Sequence, residues 1–286
     1  MKTLLAPHFE PYLGQKEEHE LLTSAFAKVG LHYQPWDASE GEIPEADAIF
    51  WQGISSYHQR MNRFEALLKQ TEKNPILSLN TPSLLRWNAD KRYLQELEEK
   101  GILTLDTLWL DCYDAEIITS WITQKAYEEV VVKPVISAGA HLTYRLTKAE
   151  VETQQYPSNI PLMAQQFASE ILTGGEISFL FFGGEFSHAV CKTPKTGDYR
   201  IQHVHGGKYE RINPLSEQLE QARKVLEVLP EQPFYARVDG IFRQQYFLLI
   251  EIELIEPYFY LDAAPEKVDL LAQKISQKLE QNEYAQ

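Results

Sequence analysis

The spacing of apolar residues changes character along the chain. Up to about residue 90, short apolar runs alternate with helical patterns. Thr3 to Ala6 reads as a strand, residues 15–29 as a helix that Gly30 can end, and His32 to Trp36 as a second strand. Asp47 to Trp51 is a third strand, residues 57–70 are helical, and Ile76 to Leu79 is again a buried strand. Strands alternating with helices predict a small parallel sheet of Rossmann-like type over residues 1–88. It contains no G-x-G-x-x-G, so no dinucleotide is assigned to it.

Residues 80–101 read as helix, with Asp90 as an N-cap and Gly101 as a stop. A strand near 105–110, a helix near 115–125 and the apolar strand EEVVVKPV come next. Ile136 to Ala140 is small and flexible, and His141 to Leu146 alternates as a returning strand, which makes 89–160 a middle unit. From residue 161 strands follow strands: LMAQQF, then EISFLFFGGEFSHAV, a hairpin turning at Gly183-Gly184. A helix fits 214–229, YARVDGIF and YFLLIEIELIEP form a second hairpin, and an amphipathic helix at 266–280 closes the chain. The predicted class is therefore α/β in the N-terminal unit and α+β in residues 161–286.

Composition narrows the function classes. A net charge of −14 argues against nucleic acid as a partner, because phosphate-backbone binding relies on a basic surface. It does not argue against a single nucleotide, which needs only a few local cations and a metal. Cys112 and Cys191 lack ligand-spaced partners, which argues against a disulfide framework or a zinc site. The first residues lack a signal-peptide pattern, and no apolar stretch approaches the ~20 residues of a membrane span. The expectation is a soluble, most simply cytoplasmic protein with a small-molecule substrate and no membrane partner, with a homodimer as the default assembly.

The most informative stretch is LLIEIELIEP. In a strand Glu251 and Glu253 share one face, about 6.5–7 Å apart, close enough for both carboxylates to serve one metal site. Asp239 on the preceding strand joins them if the hairpin pairs it opposite Glu251, and a slip of one residue turns it away. Two such carboxylates are unfavourable neighbours without a cation. The plain alternative is a solvated strand face. Lys133 stands alone in VVVKPV, where its ammonium must reach an anion or snorkel to water. The small residues after it, from Ser137 to Ala140, would let backbone N–H groups approach phosphates. Arg200, in TGDYR, suits a carboxylate or phosphate, and Gln166, Phe167, Glu170 and Glu176 offer acceptors and an aromatic face. The histidines show no metal-type spacing, and no P-loop or G-x-S-x-G is present.

Taken in order, NADKRYLQEL with Lys91, VVVKPVISAGA, QQFASEI, GGEISFLFFGGEFSHAVCKTPKTGDYR, YARVDG and LLIEIELIEP resemble the ATP-grasp superfamily over roughly residues 80–265. The likeness is to its glutathione-synthetase-like branch, in particular the cyclo-ligase group of cycloserine biosynthesis. The resemblance implies an ATP-grasp fold, with residues 89–160 as the central subdomain and 161–286 as the C-terminal one. It implies ATP between them, with Lys91, Lys133 and Ser137 toward the phosphates. Gln166, Phe167 and Glu170 would meet adenine and Glu176 the ribose. Arg200 and Arg237 would face the phosphates or the activated group, and Asp239, Glu251 and Glu253 would hold Mg²⁺. The implied activity is an ADP-forming ligase that phosphorylates a carboxylate or carbonyl-type oxygen for attack by an amine-type nucleophile, including ring closure within one molecule. A nucleotide-binding module that kept the fold and lost the reaction is the alternative. Many members carry asparagine where Glu253 stands, and the pattern gives Glu256 no role.

Overall fold

β1 (Lys2–His8), α1 (Lys16–Lys28), β2 (Leu31–Asp37), β3 (Ala48–Phe50), α2 (Met61–Lys73) and β4 (Leu77–Leu79) build the N-terminal unit. A computed structural model describes the chain over residues 1–9, 16–39, 41–195 and 207–283. The four strands pair in parallel in the order β2-β1-β3-β4, as the alternation predicts. The apolar runs of β1 and β3 are buried on both faces, which is why they do not alternate with polar residues, whereas the edge strand β2 does alternate. One face packs Leu5, Ile49 and Trp51 against Phe64, Leu67 and Leu68 of α2. The helix expected at 57–70 begins instead as a 3₁₀ turn at Tyr57–Gln59. That turn carries Tyr57 inward onto Phe64, with ring centroids 5.1 Å apart.

α3 (Pro82–Asn88) and α4 (Tyr93–Glu99) replace the single helix expected over 80–101. Thr81 caps α3, its hydroxyl accepting the N–H of Leu84. Asp90 caps neither helix; it sits in the break and binds Arg92. The break has a structural reason: it lets the Lys91 N–H reach the carbonyl of Val135 at 2.9 Å, which turns that side chain inward.

β5 (Thr107–Leu110), α5 (Ala115–Lys125), β6 (Glu129–Pro134), β7 (Tyr144–Thr147), α6 (Lys148–Val151) and β8 (Leu162–Gln166) form an antiparallel sheet in the order β5-β8-β6-β7. β8 follows residue 160 yet pairs with β5 and β6, so this sheet spans the position where the sequence suggested a division. Val130 and Val132 point to Ile118 and Ile122 of α5. Alternation then sends Lys133 to the opposite face.

α7 (Glu170–Thr173), β9 (Glu176–Phe182), β10 (Glu185–Thr193), β11 (Lys208–Ile212), α8 (Ser216–Glu227), β12 (Tyr235–Arg243), β13 (Tyr246–Glu253) and α9 (Lys267–Glu283) complete the chain. Their strands form an antiparallel sheet in the order β11-β10-β9-β12-β13, including both expected hairpins. One face packs Phe179, Phe181 and Val238 against Ala222 and Val225 of α8. The other face carries Leu180, Phe182 and Tyr235 into a shared core with Phe26, Phe50 and Leu271, so α9 returns to seal the N-terminal sheet. Both cysteines are free, and no helix among the described residues is long and apolar enough to cross a membrane.

The loop before α9 is fixed by a buried carboxyl. Glu18 of α1 accepts the N–H groups of Phe259 (3.4 Å) and Leu261 (3.2 Å). Burial raises this carboxyl to about 8, against an ordinary 4.5. The folded chain thus keeps a proton there that the unfolded chain releases above its ordinary value. Stability is therefore expected to fall as pH rises from about 5 to about 8, by ~1.4 kcal/mol per unit for one proton. Glu18→Gln should flatten that slope in urea titrations near pH 5 and pH 8. An unchanged slope in the variant would place its origin elsewhere.

Candidate functional site

Strand register assembles a charged patch on one face of the large antiparallel sheet. Lys192 pairs with Glu176; Val190, Ser178, Asp239 and Glu251 form the next cross-strand row; Leu180, Arg237 and Glu253 form the one after. A bulge brings Asp239 opposite Glu251. From the turn back to Gly240 the hairpin runs Arg243 to Tyr246 and Gly240 to Leu249, and continuing that register would set Asp239 against Ile250. The extra residue, Ile250, shifts the pairing by one. Only glycine fits beside it, since a Cβ at residue 240 would lie 2.4 Å from the Leu248 carbonyl oxygen.

Every carboxylate of the two central rows has a cation. The Arg237 guanidinium grips Asp239 with Nε at 3.0 Å and Nη2 at 2.8 Å, and also bonds Glu253. The Ser178 hydroxyl donates to Asp239 at 2.6 Å and Lys192 lies 3.3 Å from it. Lys91 reaches Glu251 at 3.0 Å and donates to the Ser137 carbonyl at 2.6 Å. The repulsion expected between Glu251 and Glu253 without a cation is thus offset but not abolished: Lys91 pairs with the one and Arg237 with the other. Burial alone would push Asp239 up, yet Arg237 and Lys192 hold it well below the usual carboxylate range. Burial, reinforced by Glu251, leaves Glu253 raised despite Arg237.

Lys133 comes to this patch from β6. It is 8% exposed, and burial lowers its proton affinity although Glu251 and Glu176 favour its charge. It therefore does not snorkel to water. The loop after it holds Ser137 buried, its hydroxyl donating to the Pro134 carbonyl at 3.1 Å. Ala138 packs toward the N-terminal unit, and His141 lies against His58 with ring centroids 5.3 Å apart.

The residues expected around adenine and ribose lie on two sides. Arg243 binds Glu170 and donates to the Gln166 amide oxygen at 3.2 Å, tying the 166–170 segment to β12. Phe167 lies beneath the Arg145 guanidinium, 3.9 Å from its ring centroid. Glu176 is ion-paired with Lys192 and belongs to the charged patch. Arg200 lies outside the described residues, as do Gln202, His203 and His205.

Lys192, Ser178, Arg243 and the supports of β13 were not singled out from sequence. Lys192 had a signal: it is a lysine in a largely apolar strand, as Lys133 is, and His188, Val190 and Lys192 alternate into the same interior face. β13 is an edge strand whose outer backbone is satisfied by the Leu103 carbonyl at Leu249 and otherwise by side chains. Asn88 donates to the Ile252 carbonyl at 2.8 Å and accepts the Leu254 N–H at 2.9 Å, while the Tyr93 hydroxyl bonds both polar groups of Ile252. Asn80 binds the carbonyls of Tyr235 and Leu254. These contacts fix the strand that carries Glu251 and Glu253.

Asp239, Glu251 and Glu253 are all-oxygen donors of the kind Mg²⁺ takes. Among the described residues no three such groups already converge on one point, because each is turned to a lysine or arginine. The donor chemistry fits, provided those cations turn to another anion as the metal enters. Phosphate oxygens are such an anion.

Comparison with known proteins matches residues 110–256 to the family described as "Prokaryotic glutathione synthetase, ATP-grasp domain". A glutathione synthetase of Prochlorococcus marinus (strain MIT 9313) is 29% identical over 202 residues, 67% of this chain and 60% of its own. A second, from P. marinus subsp. pastoris, is 29% identical over 155 residues, 51% of this chain and 47% of its own. The chain thus spans about half to three-fifths of the lengths of these curated relatives. Among solved structures, D-cycloserine synthetase DcsG superposes with a TM-score of 0.85 at 19% identity, covering 97% of this chain and 99% of that one. Macrocyclase MdnC with its precursor peptide, from Microcystis aeruginosa, does so at 0.66 and 16%, covering 97% and 99%. At those identities the likeness is one of fold.

Proposed function

The chain belongs to the prokaryotic glutathione-synthetase ATP-grasp family, and on that premise we propose that it is an ADP-forming ligase acting on a small molecule. The observation that carries this reading is one patch holding Lys91, Lys133, Lys192 and Arg237 beside Asp239, Glu251 and Glu253. With Glu176, the partner of Lys192, the four cations face four carboxylates; opened, they offer cations for phosphates and carboxylates for a metal.

In this reading Lys91, Lys133 and Lys192 turn to the nucleotide's phosphates and the backbone around Ser137 closes over them. The 166–170 segment, with Gln166, Phe167 and Glu170, lines the base, and Glu176 exchanges Lys192 for a ribose hydroxyl. Arg237 faces the oxygen being phosphorylated, as Arg200 would. Bound Mg²⁺ would be held by Asp239, Glu251 and Glu253 and would neutralise charge on the transferring phosphoryl group. The protein's own contribution is positioning and charge, since phosphoryl transfer needs little covalent help. An amine-type nucleophile then displaces phosphate, and product mass distinguishes ring closure, with loss of water from one substrate, from ligation of two.

Mg-ADP is expected to stabilise the fold by about 2.7 kcal/mol at a hundredfold excess over Kd. Lys133→Met keeps the stem and removes the charge, so nucleotide affinity should fall at least about tenfold. Thermal melts and calorimetry on both proteins are the measurement. No shift in the parent at saturating nucleotide would sink the ligase reading. Nucleotide binding without ADP formation on any carboxylate would leave a binding module.

A further inference from the structure

Arg237 has two kinds of partner. Asp239 and Glu253 balance its charge, and the same two carboxylates are proposed for Mg²⁺. Its other contacts are neutral. Nη1 donates to the Tyr258 carbonyl at 3.2 Å, and the guanidinium carbon lies over the Tyr260 ring, 5.6 Å from its centroid. A cation over an aromatic face at that distance is attracted by the ring's quadrupole without being neutralised. Once Asp239 and Glu253 turn to a metal, these neutral contacts stay in place.

The segment that supplies them is held under strain. Tyr260 has a φ of 53°, in the left-handed region, which a residue other than glycine occupies only where its surroundings fix it. Here they do. Glu18 accepts the N–H groups of Phe259 and Leu261 on either side, the His188 ring bonds the Phe259 carbonyl at 2.8 Å, and the Tyr260 carbonyl accepts the Ala263 N–H at 3.1 Å. Phe259 is fully buried, stacked on Phe50 and edge-on to Tyr235. The segment thus sends Phe259 into the shared core and presents the Tyr258 carbonyl and the Tyr260 ring to Arg237. The plane of that ring is fixed as well. Tyr209 of β11 and Tyr258 meet it edge to face, each with centroids 4.7 Å away, and their hydroxyls share the Asp262 carboxylate. Glycine would adopt this backbone without strain; tyrosine brings a ring at that cost.

Resting on the ligase reading, in which Arg237 faces the oxygen being phosphorylated, we propose that Tyr260 is a positioning residue for Arg237. Its ring and the Tyr258 carbonyl cradle the guanidinium after the two carboxylates have turned away. The side chain then keeps its aim while its charge is released to the transferring phosphoryl group. A carboxylate in the same place would hold the arginine equally well but would cancel the charge that the reaction needs. The phenol oxygen takes no part, because the contact is made by the face of the ring.

Aluminium fluoride with Mg-ADP mimics the transferring phosphoryl group and reads this role without turnover. Calorimetry on the parent should show aluminium fluoride binding on top of Mg-ADP. Tyr260→Leu removes the ring, and so does Tyr260→Asn, whose side chain tolerates a left-handed backbone. In both, affinity for aluminium fluoride should fall about tenfold, within the range of one cation–π contact, while affinity for Mg-ADP stays parental. Tyr260→Phe keeps the face and should bind both as the parent does. A residue that only supported the fold would weaken Mg-ADP binding and aluminium fluoride binding together. Undiminished aluminium fluoride binding in either folded ringless variant overturns the assignment, and so does a phenylalanine variant as weak as the leucine one. A parent that binds Mg-ADP but no aluminium fluoride overturns it too. A parent that binds no Mg-ADP defeats the ligase reading itself, a result distinct from the others.

Discussion

Glu251→Gln and Glu253→Gln are each expected to lower ADP release about 10²-fold, the scale of losing one electrostatic stabiliser of a transition state. Both side chains stand on one face of β13, opposite Asp239 and Arg237. Either change removes a charge from the oxygen set that would hold Mg²⁺, so the magnesium requirement should rise as the rate falls. The two variants should differ without nucleotide. Glu251→Gln leaves the buried Lys91 without its carboxylate and should lower stability. Glu253 already has a raised proton affinity, so its neutral replacement should cost the apo fold less. Magnesium titrations of ADP release, paired with melts, are the measurement. Parental rates with parental magnesium dependence in both variants would remove the metal role.

Asp239→Asn is expected to have the largest effect on stability. Asp239 is 3% exposed and takes the Arg237 fork, the Ser178 hydroxyl and Lys192 together. A neutral amide leaves two buried cations short of an anion, a loss of about 3–5 kcal/mol. Melting should drop by about 2–4 °C for each kcal/mol in a chain of this size. The acid limb should change as well. Burial opposes the charge, but Arg237 and Lys192 hold this carboxyl at about 2, below its ordinary 3.8. A depressed acid contributes stability above its unfolded value and loses it as pH falls toward the folded one. The variant should therefore lack that part of the decline between about pH 4 and pH 2. Guanidinium unfolding across this range tests both statements, and a variant as stable as the parent would show that Arg237 and Lys192 find other anions.

Much of the architecture was legible in residue order. Period-two alternation put Glu251 with Glu253, because successive side chains in a strand point to opposite faces, and Lys133 stood out as the one charge in an apolar run. The parallel sheet and both hairpins followed from where apolar runs met Gly183-Gly184 and other breaks. The same logic applied to Lys192 would have added it. What local pattern could not supply was anything set by a partner distant in sequence. Whether Asp239 faces Glu251 or Ile250 depends on one bulged residue, and that bulge depends on Gly240 accepting the Leu248 carbonyl within a distance no Cβ allows. The helix predicted through 80–101 breaks because the Lys91 N–H gains the Val135 carbonyl, a bond that exists only once β6 is in place. Asn80, Asn88 and Tyr93 look like ordinary helix and turn residues until the edge of β13 arrives with polar groups to satisfy. Side-chain period is a property of neighbours along the chain, so the sequence alone decides which residues share a face. Register, charge pairing and the satisfaction of a strand edge are properties of neighbours across space, and these only the folded chain decides.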